Sequence, residues 1–231
     1  MKIAVIGASG LIGTKLVESL TTAGHQVVGA SRSSGVDVLT GDGVAEALDG
    51  ADVLVDVVNS PSFEDAAVMS FFTTSTSNLA AAARTAGVGH YVALTIVGQD
   101  ELPDSGYMRA KVAQEKIIAG SGVPYTFVRA TQFEEFTDGI TDSMVVGEEV
   151  RVPNALIQPI PAWKVVSVLT RAAAAQPLNG CVNIGGPQKI SFEQMARDSL
   201  KRRGVDKKIV VDEGAGYFGT RLHQRSLVTP D

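Results

Sequence analysis

Ile3-Ala4-Val5-Ile6-Gly7-Ala8-Ser9-Gly10-Leu11-Ile12-Gly13 is the stretch on which the reading of this chain turns. Residues 3–6 form a continuous apolar run, the pattern of a strand buried on both faces and so central in a sheet. The run stops at Gly7, and residues 11–22 carry Leu11, Ile12, Leu16 and Leu20 at helical spacing. Gly7 permits a tight turn, Gly10 lets backbone N–H groups come close to a ligand, and Gly13 lets the helix approach the sheet. A pyrophosphate would rest at the helix N-terminus, beside Ser9, Gly10, Leu11 and Ile12, where unpaired N–H groups and the helix dipole favour an anion.

Outward from this loop, short runs rich in Val and Ile at 26–30, 36–39, 53–58, 91–96 and 125–129 read as strands. They alternate with helical stretches at 44–48, 66–86 and 107–119, separated by breaks such as Gly50, Gly87 and Gly122-Val123-Pro124. That rhythm predicts an α/β fold with a doubly wound parallel sheet. After about residue 131 the alternation loosens: a helix is expected at 132–144, a strand at 150–152, a helix at 162–175, a strand at 181–184, a helix at 192–203 and a strand at 209–212. These pieces are expected to form a small substrate-side lobe over 131–231, not independent of a dinucleotide-binding core over 1–130. The end, Leu227-Val228-Thr229-Pro230-Asp231, has no closing helix and is expected to fray.

Composition narrows the function classes. The 231 residues suit one large domain, and 45% hydrophobic residues exclude disorder, collagen-like repeats and coiled coil. A single cysteine, Cys181, makes no internal disulfide, and three scattered histidines add no metal cluster, so no metal is expected. A net charge of -5 has the wrong sign for gripping nucleic acid. No apolar run approaches the roughly 18 to 20 residues that span a bilayer, so a cytoplasmic protein without membrane attachment is expected. A small-molecule substrate is the expected partner, with a homodimer the default assembly.

Chemistry-bearing residues sit where strands of such a sheet end. The second strand is followed by Ser31-Arg32-Ser33-Ser34, with no acid until Asp37. Arginine there accommodates a ribose 2′-phosphate, where an acid would grip a 2′-OH, so NADP(H) is expected over NAD(H). Asp42 is placed either to meet the adenine edge or to cap the next helix. Tyr107 and Lys111, at i and i+4, project from one helix face, the geometry of a proton-transfer pair in which the ammonium lowers the phenol's pKa. Thr95, ending its strand, would hold a substrate carbonyl. Asn59 and Gln132, in loops at the sheet's carboxyl edge, are candidate amide contacts to cofactor or substrate, while Phe133, Phe136, Trp163 and Tyr217 would wall a substrate pocket.

With these residues go Gly50-Ala51-Asp52-Val53, Ala86-Gly87-Val88-Gly89-His90-Tyr91-Val92, Pro124-Tyr125-Thr126-Phe127-Val128-Arg129 and Gly185-Gly186-Pro187. Together they resemble the short-chain dehydrogenase/reductase superfamily, and within it the atypical, NmrA-like branch of NAD(P)-binding proteins. The resemblance implies a Rossmann fold, a nicotinamide cofactor and, where active, reduction of a carbonyl, enone or quinone-like substrate. It implies Tyr107 as acid, Lys111 orienting the nicotinamide ribose and tuning Tyr107, and Thr95 positioning the substrate oxygen. Two departures stand out: Phe71-Phe72 where the main branch often has a relay asparagine, and Trp163-Lys164-Val165-Val166 where relatives usually have an aspartate. Two rival readings stay open, a redox sensor that binds NADP(H) without turnover and a sugar-nucleotide epimerase or dehydratase holding NAD.

Overall fold

In the computed structural model, which describes residues 1–230, the run Lys2–Ile6 (β1) lies inside a six-stranded parallel sheet. Along the chain follow α1 (Leu11–Thr22), β2 (Gln26–Ala30), α2 (Val44–Leu48), β3 (Val53–Asp56), α3 (Asp65–Ala86), β4 (His90–Ile96), α4 (Gly106–Ala119) and β5 (Tyr125–Ala130). The remainder is α5 (Thr137–Ser143), β6 (Val145–Val146), β7 (Glu149–Val152), β8 (Leu156–Ile157), α6 (Ala162–Ala174), β9 (Gly180–Ile184), β10 (Ile190–Ser191), α7 (Phe192–Arg203) and β11 (Lys208–Val211). The order across the main sheet is β2-β1-β3-β4-β5-β9. The chain reverses direction of winding between β1 and β3, which opens a crevice at the carboxyl ends of those strands.

β1 is buried on both faces because its residues serve two cores. Ala4 and Ile6 face a cluster built with α2, α3 and α4, and Ile3 and Val5 one built with α1 and α6. Each buried Ile or Val contributes about 1.5–3 kcal/mol. A third cluster joins α5, α7, β7 and the segment around Tyr217 into a smaller lobe with its own three-stranded and two-stranded sheets. Among the described residues no helix is long and apolar enough to cross a membrane.

Several expectations are corrected. Residues 36–39 form no strand and lead into a turn at 38–40, because the Asp37 carboxylate accepts the Leu39 N–H (2.8 Å) and takes the backbone out of any ladder. The β3 ladder ends at Asp56, whose Oδ1 accepts the Val58 N–H (3.1 Å). The 132–144 stretch is a short 3-10 turn at Glu134–Phe136 followed by α5, since Phe133 bridges to Ile160. The strand carrying Cys181 belongs to the main sheet, paired with β5, and α6 packs against α1, so both lie in the dinucleotide-side layers and not in the lobe. The tail is tied rather than frayed: Leu227 is buried, and the Thr229 N–H donates to Gln158 Oε1 (2.9 Å). Asp231 lies outside the described residues.

Candidate functional site

Gly7 adopts φ +93°, left-handed backbone that suits glycine, and a Cβ there would meet the Val57 backbone at 3.0 Å. At Gly13 a Cβ would fall 2.1 Å from the Gly7 carbonyl oxygen. That glycine therefore packs helix against loop, where the sequence suggested helix against sheet. Gly13→Ala is expected to cost about 1–3 kcal/mol of stability by overpacking and to weaken dinucleotide binding, as read by urea unfolding and by NADPH fluorescence titration. Gly10 differs: its missing Cβ would touch only the Gly7 oxygen, at 3.4 Å. α1 begins at this open position with no side-chain cap and no acid in its first turn, so its first N–H groups stay available to an anion.

Above this loop a cavity of about 940 Å³ runs along the carboxyl edge of the sheet from β2 to β5. Ser9, Gly10, Leu11 and Ile12 line it near its middle, Ser31 and Arg32 at the β2 end, and Gln132 and Phe133 at the β5 end. Arg32 pairs loosely with Asp37 at 3.8 Å. Asp42 does not line the cavity; its carboxylate accepts the Thr40 hydroxyl (2.8 Å), and α2 is capped by Gly43, so neither role expected of it holds. Gln132 Oε1 is buried without a hydrogen-bond partner on a residue lining the cavity, an acceptor awaiting a donor. Trp163 is 67% exposed on the outer face of α6 and is no part of the pocket. An uncapped helix start, an open glycine cradle and an orphaned buried acceptor along one crevice together fit an extended dinucleotide.

The proton-transfer pair is arranged differently from its expectation. Ser105 caps α4 through the Met108 N–H (3.3 Å), and Tyr107 and Lys111 both line the cavity. The Tyr107 hydroxyl donates to Asn59 Oδ1 (2.7 Å). Burial pushes the phenol up to about 12, against the opposing pull of the Asn59 hydrogen bond, and Lys111 does not lower it. The lysine has turned inward: its ammonium donates to the Leu94 carbonyl (3.0 Å) and to Gln114 Oε1, and lies 4.4 Å from the centre of the Phe72 ring. Burial pulls it down to about 8, against the charges of Asp56 and Glu115. Thr95 likewise turns inward, its hydroxyl donating to Glu115 Oε1 (2.7 Å) rather than presenting a proton to a substrate oxygen.

Sequence reasoning passed over the network that holds these groups. Asp56, fully buried, accepts from the Tyr91 hydroxyl (2.9 Å) and from Gln114 Nε2 (3.1 Å). Burial raises its pKa, with the Lys111 charge opposing. Glu115 takes two bonds from Arg129, at 2.9 and 2.5 Å, and Arg129 also donates to Asp100 (2.6 Å). A signal was present: Gln114 and Glu115 stand three and four residues after Lys111, on its helix face.

At its β4–β5 end the cavity wall is aromatic. Phe63 packs on Tyr107 with ring centres 5.4 Å apart and stacks on Phe218 at 6.0 Å. Phe218 and Gly219 form the two-residue tip of a hairpin closed by the Tyr217–Thr220 pair, with φ +46° and +81°. Positive φ at both tip residues marks a primed turn that favours Asn-Gly, and a phenylalanine there costs about 1–2 kcal/mol of strain.

A family model described as NAD(P)H-binding matches residues 7–175. The (4-alkanoyl-5-oxo-2,5-dihydrofuran-3-yl)methyl phosphate reductase of Streptomyces griseus is 33% identical over 144 residues, 57% of this chain and 48% of that protein. The matched region thus spans about half the length of this curated relative. Among solved structures, MoeE5 in complex with UDP-glucose and NAD is similar with a TM-score of 0.75 at 18% identity, over 95% of this chain and 87% of that one. An NADPH-dependent quinone oxidoreductase from Escherichia coli gives a TM-score of 0.67 at 18% identity, over 90% and 77% of the two chains. Both structural likenesses establish the Rossmann-type fold. The family match takes in the glycine loop and every strand end along the crevice from β1 to β5, and on that ground the chain belongs to the NAD(P)H-binding family.

Proposed function

We propose that the protein is a reductase that draws on NADPH to reduce a small carbonyl or quinone-like substrate, with Tyr107 as proton donor. The observation that carries this reading is the Tyr107 hydroxyl at the cavity wall, with a pKa pushed up to about 12. A phenol so poised is protonated at every physiological pH and serves as a donor, not a base. Transfer to an alkoxide is downhill, since alkoxides approach the basicity of hydroxide, the conjugate base of water with a pKa of about 15.7.

When bound, the reduced nicotinamide supplies the hydride. Asn59 holds the Tyr107 hydroxyl at the cavity wall, and Tyr107 would give its proton to substrate only by exchanging that bond; the Gly7–Gly10 loop with the start of α1 would hold the pyrophosphate. Lys111, at the cavity wall, would reach the nicotinamide ribose only by exchanging its Gln114 bond. Arg32 and Ser31 would hold the 2′-phosphate. Arg32→Ala is expected to weaken NADPH binding about tenfold with NADH binding little changed, as one lost charge-assisted contact implies; equal affinities for the two in the unaltered chain end the NADP(H) reading.

The test of the function is the NADPH absorbance with a panel of aldehydes, ketones and quinones. Consumption that requires substrate and the Tyr107 hydroxyl supports the reading. Tight NADPH binding with no consumption on any substrate replaces it with a dinucleotide sensor.

A further inference from the structure

We infer that the substrate is a flat, uncharged ring system bearing a conjugated carbonyl, stacked against Phe63 and Phe218, and not a phosphorylated compound or nucleotide sugar. The inference rests on the reductase reading for its chemistry, but the ring site stands on the cavity wall itself. Of the eight phenylalanines, the three more than half exposed are Phe63 (59%), Phe136 (51%) and Phe218 (53%), and all three line the cavity. Exposed aromatic surface gathered at one opening marks a ligand that covers it.

The loops that bring these rings together are unrelated in sequence: Phe63 precedes α3, Phe136 ends the 3-10 turn before α5, and Phe218 tips the hairpin near the chain's end. The Phe218 tip is held in the left-handed region at φ +46°, where glycine or asparagine would relax it. Local strain kept at a ligand-facing position points to the ring's use there.

Charge then selects the class. Among the described residues the cations lining the cavity are Arg32 and Lys111. Arg32 follows β2, at the far end of the crevice from β5, and Lys111 is buried and bonded to Leu94 and Gln114. Among the described residues two carboxylates line the cavity: Asp65, bonded to Arg109 (2.7 Å), and Glu135, which accepts the Ala162 N–H (3.0 Å) at the start of α6. A phosphate at the aromatic end would find no cation among the lining side chains; the nearest, Arg109 behind Asp65, already spends its guanidinium on the Asp65 carboxylate and the Pro103 carbonyl. A neutral ring meets π faces suited to offset stacking. The reaction balances as one hydride from the reduced dinucleotide plus one proton added across the conjugated carbonyl, with the dinucleotide oxidised by two electrons.

The test uses the full chain loaded with NADP+ and two uncharged probes, 2-naphthol, which accepts no hydride, and decahydro-2-naphthol, which matches its skeleton without aromatic faces. Calorimetric titration is expected to show 2-naphthol binding at least tenfold tighter. The double variant Phe63→Ala/Phe218→Ala is expected to lose that advantage while NADP+ affinity stays within about twofold. Phe218→Asn is a second variant, expected to raise the melting temperature as the turn relaxes, yet to weaken 2-naphthol. Steady-state NADPH consumption with 1,4-naphthoquinone, a straight-chain aldehyde and a phosphorylated ketone completes the set. Ring binding that depends on both phenylalanines without consumption of any substrate upholds the ring site and removes the reductase reading. Turnover of the phosphorylated ketone or the aldehyde with 2-naphthol unbound overturns the inference and leaves the reductase intact. Equal binding of the two probes, or ring binding unaffected by the double variant, also overturns it.

Discussion

Tyr107→Phe is expected to lower NADPH-dependent turnover by about 10²–10⁴-fold, the range for loss of a positioned general acid. The substitution removes one oxygen from a side chain whose ring stays packed against Phe63 and Phe72, so folding should be spared. NADPH affinity should hold, since the glycine loop and Arg32 lie on other elements. Steady-state rates beside fluorescence titration separate the two effects. Undiminished turnover in the variant removes Tyr107 as donor.

Asp56→Leu is expected to destabilise the protein by about 3–5 kcal/mol, the cost of leaving a buried charge without its partner. Tyr91, Gln114 and the Val58 N–H all donate to this carboxylate and would lose their acceptor together. Lys111 would keep Glu115 but lose the Asp56 charge that supports its proton. Adding Lys111→Met to the same chain should recover part of the loss, because both charges are then gone. Urea unfolding measures each, and a loss under about 1 kcal/mol for the single variant contradicts the account. Lys111 gives a second readout. Its pKa of about 8 in the folded chain lies below the ordinary 10.5. Between those values the unfolded chain holds a proton that the folded chain has released, so this group's contribution to stability rises with pH across the window. The cost of burying the charge is full below about 8 and gone above 10.5, and Lys111→Met should flatten that rise.

The parts of the fold legible in the sequence are those written in neighbouring residues. Gly7, Gly10 and Gly13 act on one turn, and their meaning follows from the strand before and the helix after. Trp163 was legible too, though misread: Val165, Val166, Leu169 and Ala173 mark the inward face of α6, and residue 163 falls outside that stripe. The stretch 36–39 imitates a strand because Val36 and Val38 are buried as strand residues would be, while the Asp37 side chain redirects the backbone. Asp56 was out of reach. It looks like the polar end of an apolar run, and its partners Tyr91 and Gln114 lie 35 and 58 residues away. Phe63 and Phe218 carry no periodicity, and the Phe218-Gly219 tip lacks the usual hairpin signal.

Carboxamides flank the reacting end on both sides. Asn59 receives the Tyr107 hydroxyl, and Gln114 stands between Lys111 and Asp56. An amide donates and accepts hydrogen bonds but does not titrate, so neither Asn59 nor Gln114 can itself store a proton. Under the proposed chemistry, the phenolate left after each cycle would have two sources for its next proton, the Lys111 ammonium on the same cavity wall and water that enters the open crevice. Replacing Lys111 would then leave water alone to reset Tyr107, so the residue's use in a cycle shows in how the variant reloads its proton rather than in how it binds the dinucleotide.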